Sequence, residues 1–106
     1  MASFKALDRL AQLSEGQSRV YDLGEFEVVV FNVANAFYAI ENRCSHDDGA
    51  LWGGELAQLS IRCPRHGAEF CLKTGAALCP PAYEPVRVVP IHIADGYFGV
   101  MEPIDA

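Results

Sequence analysis

Short apolar runs separated by turn-forming residues set the rhythm of the chain. Residues 4–7, 19–23, 26–31, 36–41, 59–62, 69–72, 86–93 and 97–101 are each brief and rich in β-branched or aromatic side chains. Such side chains suit a pleated, half-buried surface, so each run predicts a strand. Between the runs stand Leu23-Gly24-Glu25, Ala34-Asn35, Thr74-Gly75 and Asp95-Gly96. Gly, Asn and Asp tolerate the positive φ of tight turns, and Asp95-Gly96 between two apolar runs is the strongest hairpin signal. Only Ala6–Leu13 has a helical look, and Gly16 soon after limits it to a turn or two. The pattern predicts an all-β fold in one domain over residues 1–106, without repeats, low-complexity segments or linkers.

Two stretches break the rhythm. Residues 42–58 hold Asn42, Asp47, Asp48 and glycines at 49, 53 and 54, and begin with Cys44 and His46. A second irregular stretch, residues 63–70, begins Cys63-Pro64-Arg65-His66-Gly67. Long irregular segments in a small domain are usually functional. Each cysteine falls at or just past the end of a strand, so two loops on a rigid sheet can present ligands toward each other.

Composition narrows the class. A chain of 106 residues suits one small domain whose modest core gains from an anchoring cofactor. With 51% hydrophobic residues it folds rather than staying disordered. A net charge of −6 argues against nucleic-acid or anionic-membrane partners and favours a partner with a basic patch. No apolar run approaches the length of a membrane span; Val28–Phe31 is interrupted by Asn32. Met1–Lys5 has no basic segment leading into an apolar one, so a signal peptide is not expected and the cytoplasm is the expected location. Four cysteines in a reducing compartment point to metal before disulfides.

The candidate chemistry is Cys44-x-His46 and, sixteen residues on, Cys63-x-x-His66. Four soft and borderline ligands in two mixed pairs can hold a diiron-disulfide cluster, with two protein ligands on each iron. Thiolates favour the iron that stays ferric, and neutral imidazoles make the other iron easier to reduce. A structural zinc site is the alternative, since two Cys and two His also close a tetrahedron. Zinc fingers, however, pair Cys with Cys and His with His, and no helix follows here.

Asn42-Arg43-Cys44-Ser45-His46-Asp47-Asp48-Gly49 and Cys63-Pro64-Arg65-His66-Gly67-Ala68-Glu69-Phe70 resemble the paired motifs of Rieske proteins. The likeness is greatest to the Rieske ferredoxins of bacterial aromatic-ring dioxygenase systems, and it covers nearly the whole chain. It implies three antiparallel sheets, with a small cluster-binding lobe on a β base. It also implies one [2Fe–2S] cluster, with Cys44 and Cys63 on one iron and His46 and His66 on the other. The implied partners are a flavoprotein ferredoxin reductase and a terminal oxygenase, with a role as a small subunit of another redox or iron–sulfur assembly system as the alternative, and the chain is expected to be a monomer. Respiratory Rieske proteins carry a disulfide between the loops; Gly49 and Arg65 stand at those positions here. Their Ser and Tyr hydroxyl donors to the cluster are matched here by Ala68 and Phe70, so a low potential is expected, roughly −150 mV. Exposed imidazole edges on His46 and His66 would make the potential fall as pH rises.

Other residues carry expectations of their own. Gly67 is expected to allow a tight turn and close backbone approach. Pro80-Pro81, within a loop at about 79–83, resembles the proline loop that covers the cluster. Trp52 is expected to pack over the lobe rather than to face a partner. Cys71 is expected to be a buried, unreactive thiol, and Cys79 has no assigned role. His92, between Ile91 and Ile93, is expected to face away from the core. Asp47 and Asp48 read as a solvated acidic loop, with partner steering as the alternative. The chain itself is not expected to be an enzyme: it has three histidines, and a cluster leaves only His92 for the two-histidine, one-carboxylate iron of an oxygenase.

Overall fold

A computed structural model describes residues 3–45, 48–65 and 67–104. Among them, eleven strands build three antiparallel sheets. The base sheet has the order β1 (Ser3–Arg9), β11 (Tyr97–Glu102), β10 (His92–Ala94). The middle sheet runs β2 (Ser18–Asp22), β3 (Glu27–Val33), β4 (Ala36–Glu41), β9 (Val88–Val89). The third is a meander of β5 (Glu55–Ala57), β6 (Ser60–Arg62), β7 (Glu69–Cys71) and β8 (Ala77–Cys79). No helix among the described residues is long and apolar enough to cross a membrane.

Strand β3 explains the layering. Its alternate residues serve two cores, as a period of two requires. Val28 and Val30 join Leu13, Ala39, Val89, Phe98 and Val100 in the base core. Val29 and Phe31 join Ile40, Leu51, Ile61, Phe70 and Leu72 in a second core toward the meander. A strand covered on both faces reads as a continuous apolar run, which is why Val28–Phe31 shows no alternation. Each fully buried side chain of this kind contributes about 1.5–3 kcal/mol relative to exposure. In the base core Phe98 stacks on Phe37, with centroids 5.0 Å apart, and meets Tyr21 edge-on at 5.6 Å.

The turns follow their residues. Ala34 and Asn35 have φ of 52° and 67°, and Asp95 and Gly96 have 54° and 82°. These are the paired positive values of a two-residue hairpin turn whose twist matches its strands. The helical look at Ala6–Leu13 comes to a single 3-10 turn over Leu10–Gln12, since residues through Arg9 pair with β11. The expected strand at 86–93 is two strands in different sheets. Pro90, which has no N–H to donate, stands where the chain leaves the middle sheet for the base. Strands β5 and β8, three residues each, were not expected.

Candidate metal centre

The two cysteine loops close in the same way. Cys44 N–H donates to Gly49 O at 2.7 Å, and Asp48 N–H donates back to Cys44 O at 2.8 Å. In the second loop Cys63 N–H donates to Ala68 O at 2.6 Å, and Gly67 N–H to Cys63 O at 3.1 Å. The fifth residue of each turn is left-handed, with φ of 61° at Asp48 and 76° at Gly67. Asp is among the few non-glycine residues that enter this region readily. Strand β4 delivers the first turn and β6 the second, and both thiols are buried, at 0% exposure for Cys44 and 1% for Cys63. They share one apolar core with Leu51, Ala68 and Phe70. Two buried thiols on matched turns, in a water-poor setting, fit the sulfur half of a diiron site. His46 and His66, the expected nitrogen ligands, lie outside the described residues, as does Asp47.

A third turn repeats the geometry. Cys71 N–H donates to Ala76 O at 2.9 Å and Gly75 N–H to Cys71 O at 2.8 Å, with Gly75 at φ 78°. A Cβ on Gly75 would strike the Val86 carbonyl oxygen, so the chain beyond the prolines rests directly on this turn. Gly67 by contrast has open space where its Cβ would be. The turn expected of Gly67 is present, and the close approach belongs to Gly75. Cys71 is half-buried rather than buried, because it alternates with the buried Phe70 and so lies on the other face of β7. The Thr74 hydroxyl, followed by the N–H groups of Thr74 and Lys73 and the Lys73 charge, holds its thiol below the ordinary cysteine range against an opposing effect of burial.

Residues outside the ligand pattern organise the first loop. Asn42 Oδ1 accepts from both Leu51 N–H and Trp52 N–H at 2.9 Å, spanning the loop from within. Ser45 Oγ donates to Glu84 O at 2.6 Å, tying the loop to the segment after the cis Pro80-Pro81 bond. That segment buries Ala82 in the core of the two cysteines. Tyr83 beside it is 81% exposed. Cys79 Sγ donates to Gly67 O at 3.4 Å. Asp48 is exposed but accepts from Arg43 Nη1 at 3.2 Å, so its charge is partly balanced. Sequence spacing carried no sign of Asn42 or Ser45 as organisers, since each acts on main-chain atoms of distant residues.

Trp52 corrects its expectation. It is 53% exposed, because the loop turns its ring outward beside Ser18, Arg19 and Val20 around a shallow depression. His92 is exposed as expected, but Ile93 is also 57% exposed, since β10 is an edge strand only partly covered. Ala68 and Phe70 are both fully buried and carry no side-chain donor.

Comparison with known proteins places this arrangement. The family model described as the Rieske [2Fe-2S] domain matches residues 3–90. The 3-phenylpropionate/cinnamic acid dioxygenase ferredoxin subunit of Escherichia coli (strain K12) is 41% identical over 88 residues, covering 82% of each chain. The ferredoxin of carbazole 1,9a-dioxygenase from Nocardioides aromaticivorans IC177 superposes with a TM-score of 0.87 at 31% identity, over 92% of this chain and 96% of that one. A chain in the complex of reduced oxygenase and oxidized ferredoxin in carbazole 1,9a-dioxygenase gives a TM-score of 0.88 at 26% identity, over 97% and 96%. With its three antiparallel sheets, its twin cysteine turns in one core and a family match over most of its length, the chain belongs to the Rieske [2Fe–2S] domain family.

Proposed function

We propose that the chain is a one-electron carrier between a flavin-dependent ferredoxin reductase and a terminal aromatic-ring-hydroxylating oxygenase. Cys44 and Cys63 hold one iron of a Rieske [2Fe–2S] cluster, and His46 and His66 hold the other. The observation that carries this reading is the burial of Cys44 and Cys63 in one core on turns closed by the same pair of hydrogen bonds. The bound cluster supplies a one-electron couple. The chain's own residues fix the two sulfurs, exclude water through Leu51, Ala68 and Phe70, and cover the site with the segment around Ala82. Ala68 and Phe70 offer no donor that would stabilise the added electron, which supports a potential near the bottom of the Rieske range, roughly −150 mV.

The partner assignment draws on the relatives, one named as a dioxygenase ferredoxin subunit and one in a complex of oxygenase and ferredoxin. A net charge of −6 suits docking on a basic surface and disfavours nucleic acid. With His46 and His66 on the cluster, His92 is the one histidine left and stands exposed on an edge strand, so the oxygenase iron belongs to the partner. Metal and acid-labile sulfide analysis, with the paramagnetic spectrum of the reduced protein, tests the reading. Equal iron and sulfide and a spectrum altered by His66→Cys are expected. Iron-free protein, or a spectrum indifferent to that exchange, overturns it.

A further inference from the structure

We propose that Arg65 is a positioning residue that straps the second cysteine loop onto the first and so holds the cluster site together. The inference rests on the cluster reading above. Two separate features of the structure carry it. Arg65 Nη1 donates to Ala50 O at 2.7 Å, a bond from the second loop to the first. In addition, the guanidinium lies against the α-carbon of Gly49, where a Cβ would collide with its Nε, Cζ and Nη2 atoms. The φ of Gly49 lies outside the left-handed region, so its backbone does not call for glycine. A Cβ there would force the guanidinium to move.

The contact falls at a place where position matters. Gly49 O is the acceptor that closes the turn of Cys44. Arg65 lies inside the turn that Cys63 opens, between Cys63 and the left-handed Gly67. The flat head of Arg65 therefore joins the closing residue of one sulfur-bearing turn to the interior of the other. A planar cation with several donors suits this task, because it can lie on a glycine and donate to the next carbonyl at the same time. The strap fixes the separation of the two loops, which is the dimension a two-iron group must match.

A double-mutant cycle tests it. Gly49→Ala leaves the Arg65 charge in place and pushes its guanidinium off the first loop. Arg65→Ala removes the strap outright. The rate of cluster loss, followed by visible absorption in excess chelator, is expected to rise about five-fold in each variant. At 1.4 kcal/mol per tenfold that is about 1 kcal/mol, below the usual range for a charged hydrogen bond, as suits an exposed one. The reduced-state paramagnetic spectra of the two variants are expected to shift alike, and the double variant to match either single one. Circular dichroism establishes that each variant keeps the β fold, and Arg65→Gln replaces Arg65→Ala if the latter does not. Additive effects, or a silent Gly49→Ala beside an impaired Arg65→Ala, overturn the strap, the second because it marks a role of charge alone. A cluster retained at the native rate in both variants also overturns it and leaves the carrier reading intact. A native protein without iron and sulfide fells both.

Discussion

Asn42 offers the sharpest test of how the first loop is built. Its Oδ1 accepts two main-chain N–H groups, those of Leu51 and Trp52, at 2.9 Å each. Leu51 is fully buried, so Asn42→Ala leaves its N–H without a partner and out of reach of water. A stranded buried donor costs about 1–3 kcal/mol. The Trp52 N–H belongs to an exposed residue and can turn to solvent, adding a few tenths. The Asn42 Nδ2 bond to Glu27 Oε1, 3.3 Å long and exposed, adds little. The total is about 2 kcal/mol, a large part of the stability of a small domain. An unfolding entropy of about 2.1 cal/mol/K per residue over 106 residues converts this to a fall in melting temperature of about 9 °C. Thermal melts by circular dichroism read the shift, and hydrogen exchange at the Leu51 amide locates it. Asn42→Asp keeps the acceptor but sets a second carboxylate beside Glu27, so it recovers most of the loss. A fall of less than about 2 °C for Asn42→Ala, or no recovery with Asp, refutes the reasoning.

Two further outcomes follow from side chains away from the centre. Burial, and after it the bond to Asp8 Oδ2 at 2.8 Å, raises the Tyr21 phenol from 10.0 to about 12. The folded chain then holds this proton more tightly than the unfolded one. The stabilisation is whole below pH 10 and is lost as pH climbs through about 12. Discounted for partial exposure it amounts to about 1–1.5 kcal/mol. Denaturant titrations at stepped pH are expected to show this decline, and Tyr21→Phe to remove it; an unchanged slope in the variant counts against it. Cys71, with its thiol held low by Thr74, is expected to react with iodoacetamide ahead of Cys79, and Thr74→Val to move the pH midpoint of that reaction upward. Peptide mass analysis showing equal rates, or no movement with Val, sinks this.

What could be read from the sequence follows the range of the forces involved. Asn35 and Asp95-Gly96 were legible because positive φ selects such residues locally, whereas Ala34, at φ 52°, is not a residue of that kind. That Cys44 and Cys63 come together in one core was legible because each stands just past the end of a strand, on loops that a sheet can aim at each other. What covers the two faces of β3 was not, since an unbroken apolar run records that both faces are covered but not by what. Strands β5 and β8 owe their form to pairing with β6 and β7, which short segments such as Glu55–Ala57 do not announce. Asn42 and Arg65 escaped notice because their partners are main-chain atoms, and a carbonyl at Ala50 looks the same in any sequence. One sign was available: Cys63-x-x-x-Gly67 and Cys71-x-x-x-Gly75 repeat the same spacing eight residues apart.

The Cys71 turn closes with the same two bonds as the turns at Cys44 and Cys63, although Cys71 belongs to neither cluster loop. The same pair of main-chain bonds and a left-handed fifth residue thus define one turn shape at three cysteines. A turn tied twice by its own main chain changes little when the charge beside it changes. An electron can then arrive or depart with small nuclear displacement, so the barrier to each hop stays low.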